Sequence, residues 1–511
     1  TKTTGMKIFR TSIFFLIVLA LSSCNQQKTE RTLPEVDHKD LSNLHGFNLL
    51  EKFASDWFCG PYREQDFKMI ADYGFNFVRL PMDYRCITEE GKWDLLKEDA
   101  MKDVDQAIEW GEKYGIHVCI NLHHAPGYCI NAREFYSKDS SLWTGESARD
   151  AFVALWAQMA RRYKDISNDN VSFNLLNEPA RTSKENYVEV AIRAIEAIRD
   201  EDPERMIMSD GWNVGKEPIV ELVPYDVVQM FRGYWPMNLT HYGASWIDNT
   251  YGPMPEWPSN QYLGQYIKGP DGKAFELHHS FEEDTPAELE VLRVSGSSVL
   301  KVMADDMNIL EKEFNPETDE TVESFYNEEY ESYEGVYLKS FKFTVPEGTE
   351  KLSIKLEGGN WITYGKVTVY PQGDDPDTID IIPGNIWGGE PVPVEIKEDG
   401  FVAVAHPDAD WDSIYRADHL DPWIDFKNKH DIGIMVGEWG VYHKAPHDIT
   451  LEWMNDMLDA WEEHNLGWAM WNFRGSFGVA DSDRPGAEYE EINGVEVDTA
   501  MMRILREAVV K

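Results

Sequence analysis

A chain of 511 residues, 42% of them hydrophobic and 13% aromatic, has room for one large domain and a second module, each with a core of its own. Its 91 acidic against 48 basic residues give a formal net charge of −43. That balance argues against nucleic acid or an anionic membrane surface as partner and suits a neutral ligand.

Residues 1–5 read as an added leader. From Met6 the chain carries Lys7 and Arg10, an apolar run over residues 13–21, and then Ser22-Ser23-Cys24. A basic region, a short apolar stretch and small residues form a secretory signal, and the run is too short to span a bilayer. The cysteine after Leu21-Ser22-Ser23 resembles the bacterial lipoprotein signal, in which that residue is lipidated and becomes the first of the mature chain. An ordinary signal peptide with a chance cysteine is the alternative. The expectation is an exported outer-membrane lipoprotein, periplasmic or at the cell surface, held only through a lipid on Cys24. The polar residues 25–34 then serve as a tether. Cys59, Cys86, Cys119 and Cys129 match no zinc spacing, and their pairing cannot be deduced from the sequence.

From residue 44 to about 260, short apolar runs alternate with amphipathic stretches. Strands are expected over residues 46–49, 75–80, 116–122, 171–176, 205–209 and 226–231. Between them, Phe67, Ile70 and Ala71 recur at helical spacing with Gly74 as a stop, and Phe152, Leu155, Trp156, Met159, Ala160 and Tyr163 form an apolar stripe. This alternation implies a parallel sheet with helices outside it.

Near residue 261 the texture changes to short strands and acidic loops, lasting to about 404. Residues 281–335 hold 17 acidic and 3 basic side chains. Period-two alternation over 342–356 predicts an antiparallel β-sandwich of ordinary domain size. Strand–helix alternation then resumes, with strands over 432–436 and 466–471 and helices over 451–461 and 499–510. Six strands before the insertion and two after it make the eight of a (β/α)8 TIM barrel interrupted between strands six and seven. The expected division is 1–34 for signal and tether, 35–264 for the first part of the barrel, 265–404 for the sandwich, and 405–511 for the rest of the barrel.

Active sites of such barrels lie at the C-terminal ends of the strands. The polar and aromatic side chains ending the apolar runs are Arg79, His123, His124, Asn177, Glu178, Arg232, Tyr234, Glu438 and Trp471. Glu178 and Glu438 end strands four and seven, which face each other across a barrel. Two such carboxyls are the minimum for glycosidic cleavage, one protonated to serve the leaving oxygen and one ionised. An arginine near Glu438 would keep it ionised, and Arg79 is placed for this by strand order.

These pieces carry a resemblance. Val78-Arg79-Leu80-Pro81, Asn121-Leu122-His123-His124, Asn177-Glu178-Pro179, Thr240-His241-Tyr242-Gly243-Ala244, Gly437-Glu438-Trp439-Gly440 and Gly467-Trp468-Ala469-Met470-Trp471 occur in order. The barrel so marked resembles glycoside hydrolase family 5, the cellulase-like retaining β-glycosidases. The resemblance implies Glu178 as acid/base and Glu438 as nucleophile. It further implies Asn177 at the sugar 2-hydroxyl, Arg79 and Tyr234 on the nucleophile, His123 lining the cleaved sugar's subsite, and Trp471 beneath that sugar. No cofactor and no metal are implied, and a monomer is expected. One departure stands out: Arg232-Gly233-Tyr234 occupies the place of the family's usual His-x-Tyr. A guanidinium beside Glu178 would weaken an acid catalyst, so Arg232 is expected to point toward substrate or Glu438.

The expected substrate is a neutral β-linked polysaccharide or oligosaccharide, with glucan ahead of mannan and xylan. A non-catalytic surface glycan-binding protein on a hydrolase barrel is the alternative. The inserted sandwich reads either as a carbohydrate-binding module, with Trp361, Tyr364, Tyr370 and Trp387 as stacking surface, or as a wall of the cleft.

Overall fold

The computed structural model describes residues 31–510 except 56–57, 131–140, 248–254, 256, 259–262, 328–331, 371–377, 384–388, 397–401, 405–411 and 413–414. The signal with Cys24, and Trp387, therefore lie outside the described residues. Among these residues no helix is long and apolar enough to cross a membrane.

Eight parallel strands close into a barrel: β1 (His45–Asn48), β2 (Phe77–Asp83), β3 (His117–His124), β4 (Val171–Asn174), β5 (Ile207–Asp210), β6 (Val228–Arg232), β7 (Ile434–Trp439) and β8 (Gly467–Met470). The ring closes where β1 pairs with β8, His45 opposite Trp468. All eight expected strands are present. Each is covered on both faces, which is why they read as unbroken apolar runs. Strand β5 begins two residues later than expected, because Arg205 belongs to the turn before it. There its guanidinium caps the carbonyls of Val171, Tyr163 and Ile166.

Inward-facing Phe77, Cys119, Met208, Val228, Met230, Met435 and Ala469 fill the barrel. Leu41 and Leu44, from the segment ahead of β1, join this layer and plug the N-terminal end. The outward positions, such as Val78, Ile120, Phe173 and Val436, pack on the surrounding helices. These include α1 (Glu64–Tyr73), α2 (Glu98–Tyr114), α3 (Glu146–Tyr163), α4 (Lys184–Glu201), α5 (Asp421–His430), α6 (His447–Glu462) and α7 (Thr499–Val510). Gly74 ends α1 at φ 110°, where its N–H returns to the carbonyls of Ala71 and Ile70, as the stop signal predicts.

The insertion leaves the barrel after β6, at the C-terminal end of the strands. One of its sheets runs Met307–Phe314, Ser298–Ala304, Lys351–Gly358, Phe275–His278, Val394–Ile396, Val402–Val404. The other runs Glu323–Asn327, Ser332–Val345, Thr285–Ser295, Trp361–Val369, Ile379–Ile381. Pairing is antiparallel except between Phe275–His278 and Val394–Ile396, a departure from the expected all-antiparallel sandwich. Leu289, Leu300, Val302, Ile354 and Ile362 fill the core.

The stacking surface expected on the sandwich is corrected here. Tyr364 is fully buried in that core, and Trp361 is buried under the Arg293 guanidinium, 5.5 Å from the ring centre. Tyr370 is half-buried with its hydroxyl on Glu288.

A disulfide joins Cys59 to Cys86. It ties the loop after β1 to the turn after β2, both at the active-site end. Cys119 and Cys129 are buried free thiols.

Candidate active site

Strand alternation aims the site. In β2, Phe77 faces the interior and Val78 the helices, so Arg79 turns inward; in β5 and β6 the same alternation turns Asp210 and Arg232 inward. Strand β7 needs a further device. Met435 faces the interior, so strict alternation would send Gly437 inward and Glu438 out toward the helices. The ladder instead steps from Val436 opposite Phe231 to Glu438 opposite Arg232, leaving Gly437 as an extra residue. This bulge re-aims Glu438 into the mouth of the barrel. A Cβ at 437 would lie 2.9 Å from the Met230 sulfur and 3.1 Å from Arg232 Nη1, so a larger residue would press on both side chains.

Arg79 is fully buried and donates on every side: Nε to Asn174 Oδ1 at 2.9 Å, Nη1 to Asn48 Oδ1 at 2.9 Å and to Glu438 Oε1 at 2.5 Å, Nη2 to Asn177 Oδ1 at 2.9 Å. The pairing of Arg79 with Glu438 is thus present. Tyr234 adds its hydroxyl to Glu438 Oε2 at 3.4 Å. Asn177 accepts from both arginines through Oδ1, while its buried Nδ2 has no partner among the described residues. A buried amide donor without an acceptor is costly unless a ligand completes it.

Glu178 sits at φ 46°, a left-handed conformation rare for a residue with a side chain. Three bonds hold it there. The Tyr128 hydroxyl donates to the Glu178 carbonyl at 2.5 Å and accepts the Ala180 N–H at 3.0 Å, and the Glu178 N–H donates to Asp210 Oδ2 at 2.8 Å. Its side chain keeps 18% exposure, so it reaches the cleft. Burial raises its carboxyl to about 7, against the opposing pull of Arg232 and with the negative charge of Glu438 adding to the rise.

The expectation for Arg232 is corrected in part. Its Nη2 lies 3.1 Å from Glu438 Oε1, but its Nε donates to Glu178 Oε1 at 2.9 Å. Nη2 also reaches Asn177 Oδ1 at 2.8 Å and Asp210 Oδ2. Burial works against its charge, yet Asp210, Glu438 and Glu178 together hold it firmly protonated.

Asp210 is the side chain that sequence reasoning missed. It ends β5, is fully buried, and accepts from Arg232, from the Glu178 N–H and from Asn174 Nδ2. The available signal was the strand-end rule already applied to the other strands.

His123 lines the opposite side, its ring 5.3 Å from that of Trp471 at an interplanar angle of 24°. Burial, with His124, Arg79 and Arg232 nearby, keeps it neutral. His124 instead pairs with Asp83 at 2.9 Å, a bond that outweighs burial and lifts its imidazole to about 9. Trp439 and Trp235 are packing residues, whereas Trp246 is 50% exposed, its ring edge-on to Tyr442 at 4.9 Å. Among the described residues no cluster of metal-ligating side chains occurs.

The family model for cellulase (glycosyl hydrolase family 5) matches residues 35–240. Over those residues the chain is similar to a family 5 glycosyl hydrolase domain. Endoglucanase C of Acetivibrio thermocellus is 30% identical to this chain over 229 residues, 44% of the chain and 64% of that relative. Cellodextrinase A of Ruminococcus flavefaciens is 34% identical over 192 residues, 36% of the chain and 54% of that relative. The chain thus spans less than two thirds of these relatives. A crystal structure described as a glycoside hydrolase superposes on 91% of this chain and 99% of its own with a TM-score of 0.57 at 25% identity. The family 5 match ends at residue 240, so it takes in Arg79, His123, Asn177, Glu178, Asp210, Arg232 and Tyr234. Glu438 and Trp471 reach the same site from the strands beyond the insertion.

Proposed function

We propose that this chain is a retaining β-glycosidase of neutral β-linked glucan, with Glu178 as proton donor and Glu438 as nucleophile. One observation carries the reading: Glu178 Oε1 accepts from Arg232 Nε and Glu438 Oε1 is ion-paired with Nη2 on the same edge of that guanidinium, while their surroundings differ. Burial raises the Glu178 carboxyl to about 7, as a proton donor requires, while Glu438 is ion-paired with both arginines. Two carboxyls on one guanidinium edge suit the ~5 Å separation of the retaining class better than the ~6.5–9.5 Å of inverting enzymes, which leave room for a water.

In the first step the ionised Glu438 attacks the anomeric carbon from the face opposite the leaving oxygen, and Glu178 gives that oxygen its proton. Arg79 and Tyr234 keep Glu438 aimed, and the unpartnered Asn177 Nδ2 is placed to donate to the sugar 2-hydroxyl. In the second step Glu178, now ionised, removes a proton from water, which displaces Glu438 and restores the starting state. Trp471, backed by His123, offers a face beneath the sugar.

A hydrolysis screen over β-glucan, mannan, xylan and xyloglucan with product sizing tests the substrate class. Turnover of β-glucan first is expected; binding without turnover of any glycan would favour the glycan-binding alternative. The pH profile tests the acid. Glu178 must be protonated to donate, so kcat/KM should fall as pH rises through about 7, and a profile flat to pH 9 would remove it from that role. The signal pattern supports export with a lipid on Cys24. Release of a Cys24→Ala variant from the membrane fraction is expected, and unchanged fractionation would count against the anchor.

A further inference from the structure

Two guanidiniums and three carboxyls meet at the floor of the cleft. Glu438 takes Arg79 Nη1 at 2.5 Å and Arg232 Nη2 at 3.1 Å. Asp210 takes Arg232 Nη2 through Oδ2, with Arg79 Nη2 at 3.8 Å behind it, and is also bonded by the Glu178 N–H at 2.8 Å and by Asn174 Nδ2 at 3.1 Å. The Glu178 carboxyl has one side-chain donor among the described residues, Arg232 Nε at 2.9 Å, on a guanidinium already engaged by the other two. Asp210 comes from β5, Arg232 from β6, Glu438 from β7 and Arg79 from β2. Among the described residues Tyr234, after β6 and partly buried, and Tyr128, after β3 and buried, are further titratable groups facing Glu178.

We infer that Asp210 is a positioning residue for the proton donor. It holds the Glu178 backbone and claims the Arg232 guanidinium as its own counter-ion, which leaves Glu178 as the carboxyl without a cation to itself. The inference rests on the reading of Glu178 as the acid.

The charge count explains how an acid persists beside an arginine. Two cations neutralise two carboxylates, and a third carboxylate buried among them would leave the site at −1. A proton on Glu178 returns it to zero. Arg232 can only donate, so its Nε fixes Glu178 Oε1 as an acceptor and leaves the acid proton to Oε2. Without the charge on Asp210, two cations would face two glutamates, and the ionised form of Glu178 would be neutralised where it stands. The acid would then be weakened by the very arginine that Asp210 now occupies.

Titration of δ-carbon-labelled glutamate by NMR, with the Glu178 resonance assigned through Glu178→Gln, tests this directly. The midpoint in Asp210→Asn should fall by about 1 pH unit or more relative to the unsubstituted protein. The alkaline limb of kcat/KM should fall with it. Arg232→Gln should move the midpoint upward, and Asp210→Asn with Arg232→Gln should return it close to the starting value. A merely structural role would lower stability or kcat without moving the midpoint. A folded Asp210→Asn with an unmoved or raised midpoint overturns the inference. Should that variant fail to fold, an unmoved or lowered midpoint in Arg232→Gln does the same. The titration reads Glu178 whatever its role. Full activity of Glu178→Gln would therefore sink the acid assignment separately and leave the Asp210 result standing.

Discussion

Replacing Glu438 with alanine is expected to lower hydrolysis of a soluble β-glucan by at least about 10^4-fold, roughly 5 kcal/mol of transition-state stabilisation at ~1.36 kcal/mol per decade. The side chain is buried at the mouth of the barrel, where Arg79 and Tyr234 donate hydrogen bonds to it and Arg232 Nη2 pairs with it at 3.1 Å. Asp210, the other carboxylate that pairs with Arg79 and Arg232, is no substitute, because both its oxygens are already hydrogen-bonded. Alanine opens a space on the face from which attack occurs. Azide should enter it and convert an activated aryl β-glycoside to the α-glycosyl azide. The substitution also strips a carboxylate from two buried arginines, and breaking such a pair costs about 3–5 kcal/mol of stability. Glu438→Gln, which keeps an oxygen for Arg79, separates the two effects: similar loss of turnover with less loss of stability. Full activity of folded Glu438→Ala would refute the nucleophile assignment.

Glu178→Gln has the second largest expected effect, and its size should depend on the leaving group. A glutamine cannot protonate the departing oxygen, so oligosaccharide hydrolysis should drop by about 10^2–10^4-fold, the usual worth of a positioned acid. An aryl glycoside whose leaving group is already acidic needs no proton, and its first step should change little. The fall of kcat/KM through about 7 should vanish, because the group responsible is gone. An equal loss on both substrates would mean that the side chain binds rather than protonates. Glutamine keeps a carbonyl oxygen to accept from Arg232 Nε, so the fold should tolerate it.

Much of this site is legible in the sequence for one reason. Barrel strands are buried on both faces, so a polar residue at the end of an apolar run is conspicuous, and Arg79, Asn177, Glu178 and Glu438 stand out that way. Asp210 does not. It is followed by glycine, and Ser209-Asp210-Gly211 reads as turn punctuation rather than as a strand end, so strand five was expected to stop one residue short. The double engagement of Arg232 was equally hidden. It depends on the bulge at Gly437, which brings Glu438 opposite Arg232, and a bulge leaves no mark in residue spacing beyond the glycine itself.

On the sandwich, Trp361–Val369 is buried on nearly all positions of both faces, so alternation could not tell a stacking face from a core face. The Cys59–Cys86 pairing joins loops whose approach is set by the barrel, not by sequence distance.

The claim at the centre of this account is a double displacement by Glu178 and Glu438. Proton NMR of the reducing end released in the first moments of cello-oligosaccharide hydrolysis, before mutarotation, reads it directly. The β-anomer as the first product is the predicted result. The α-anomer would contradict it.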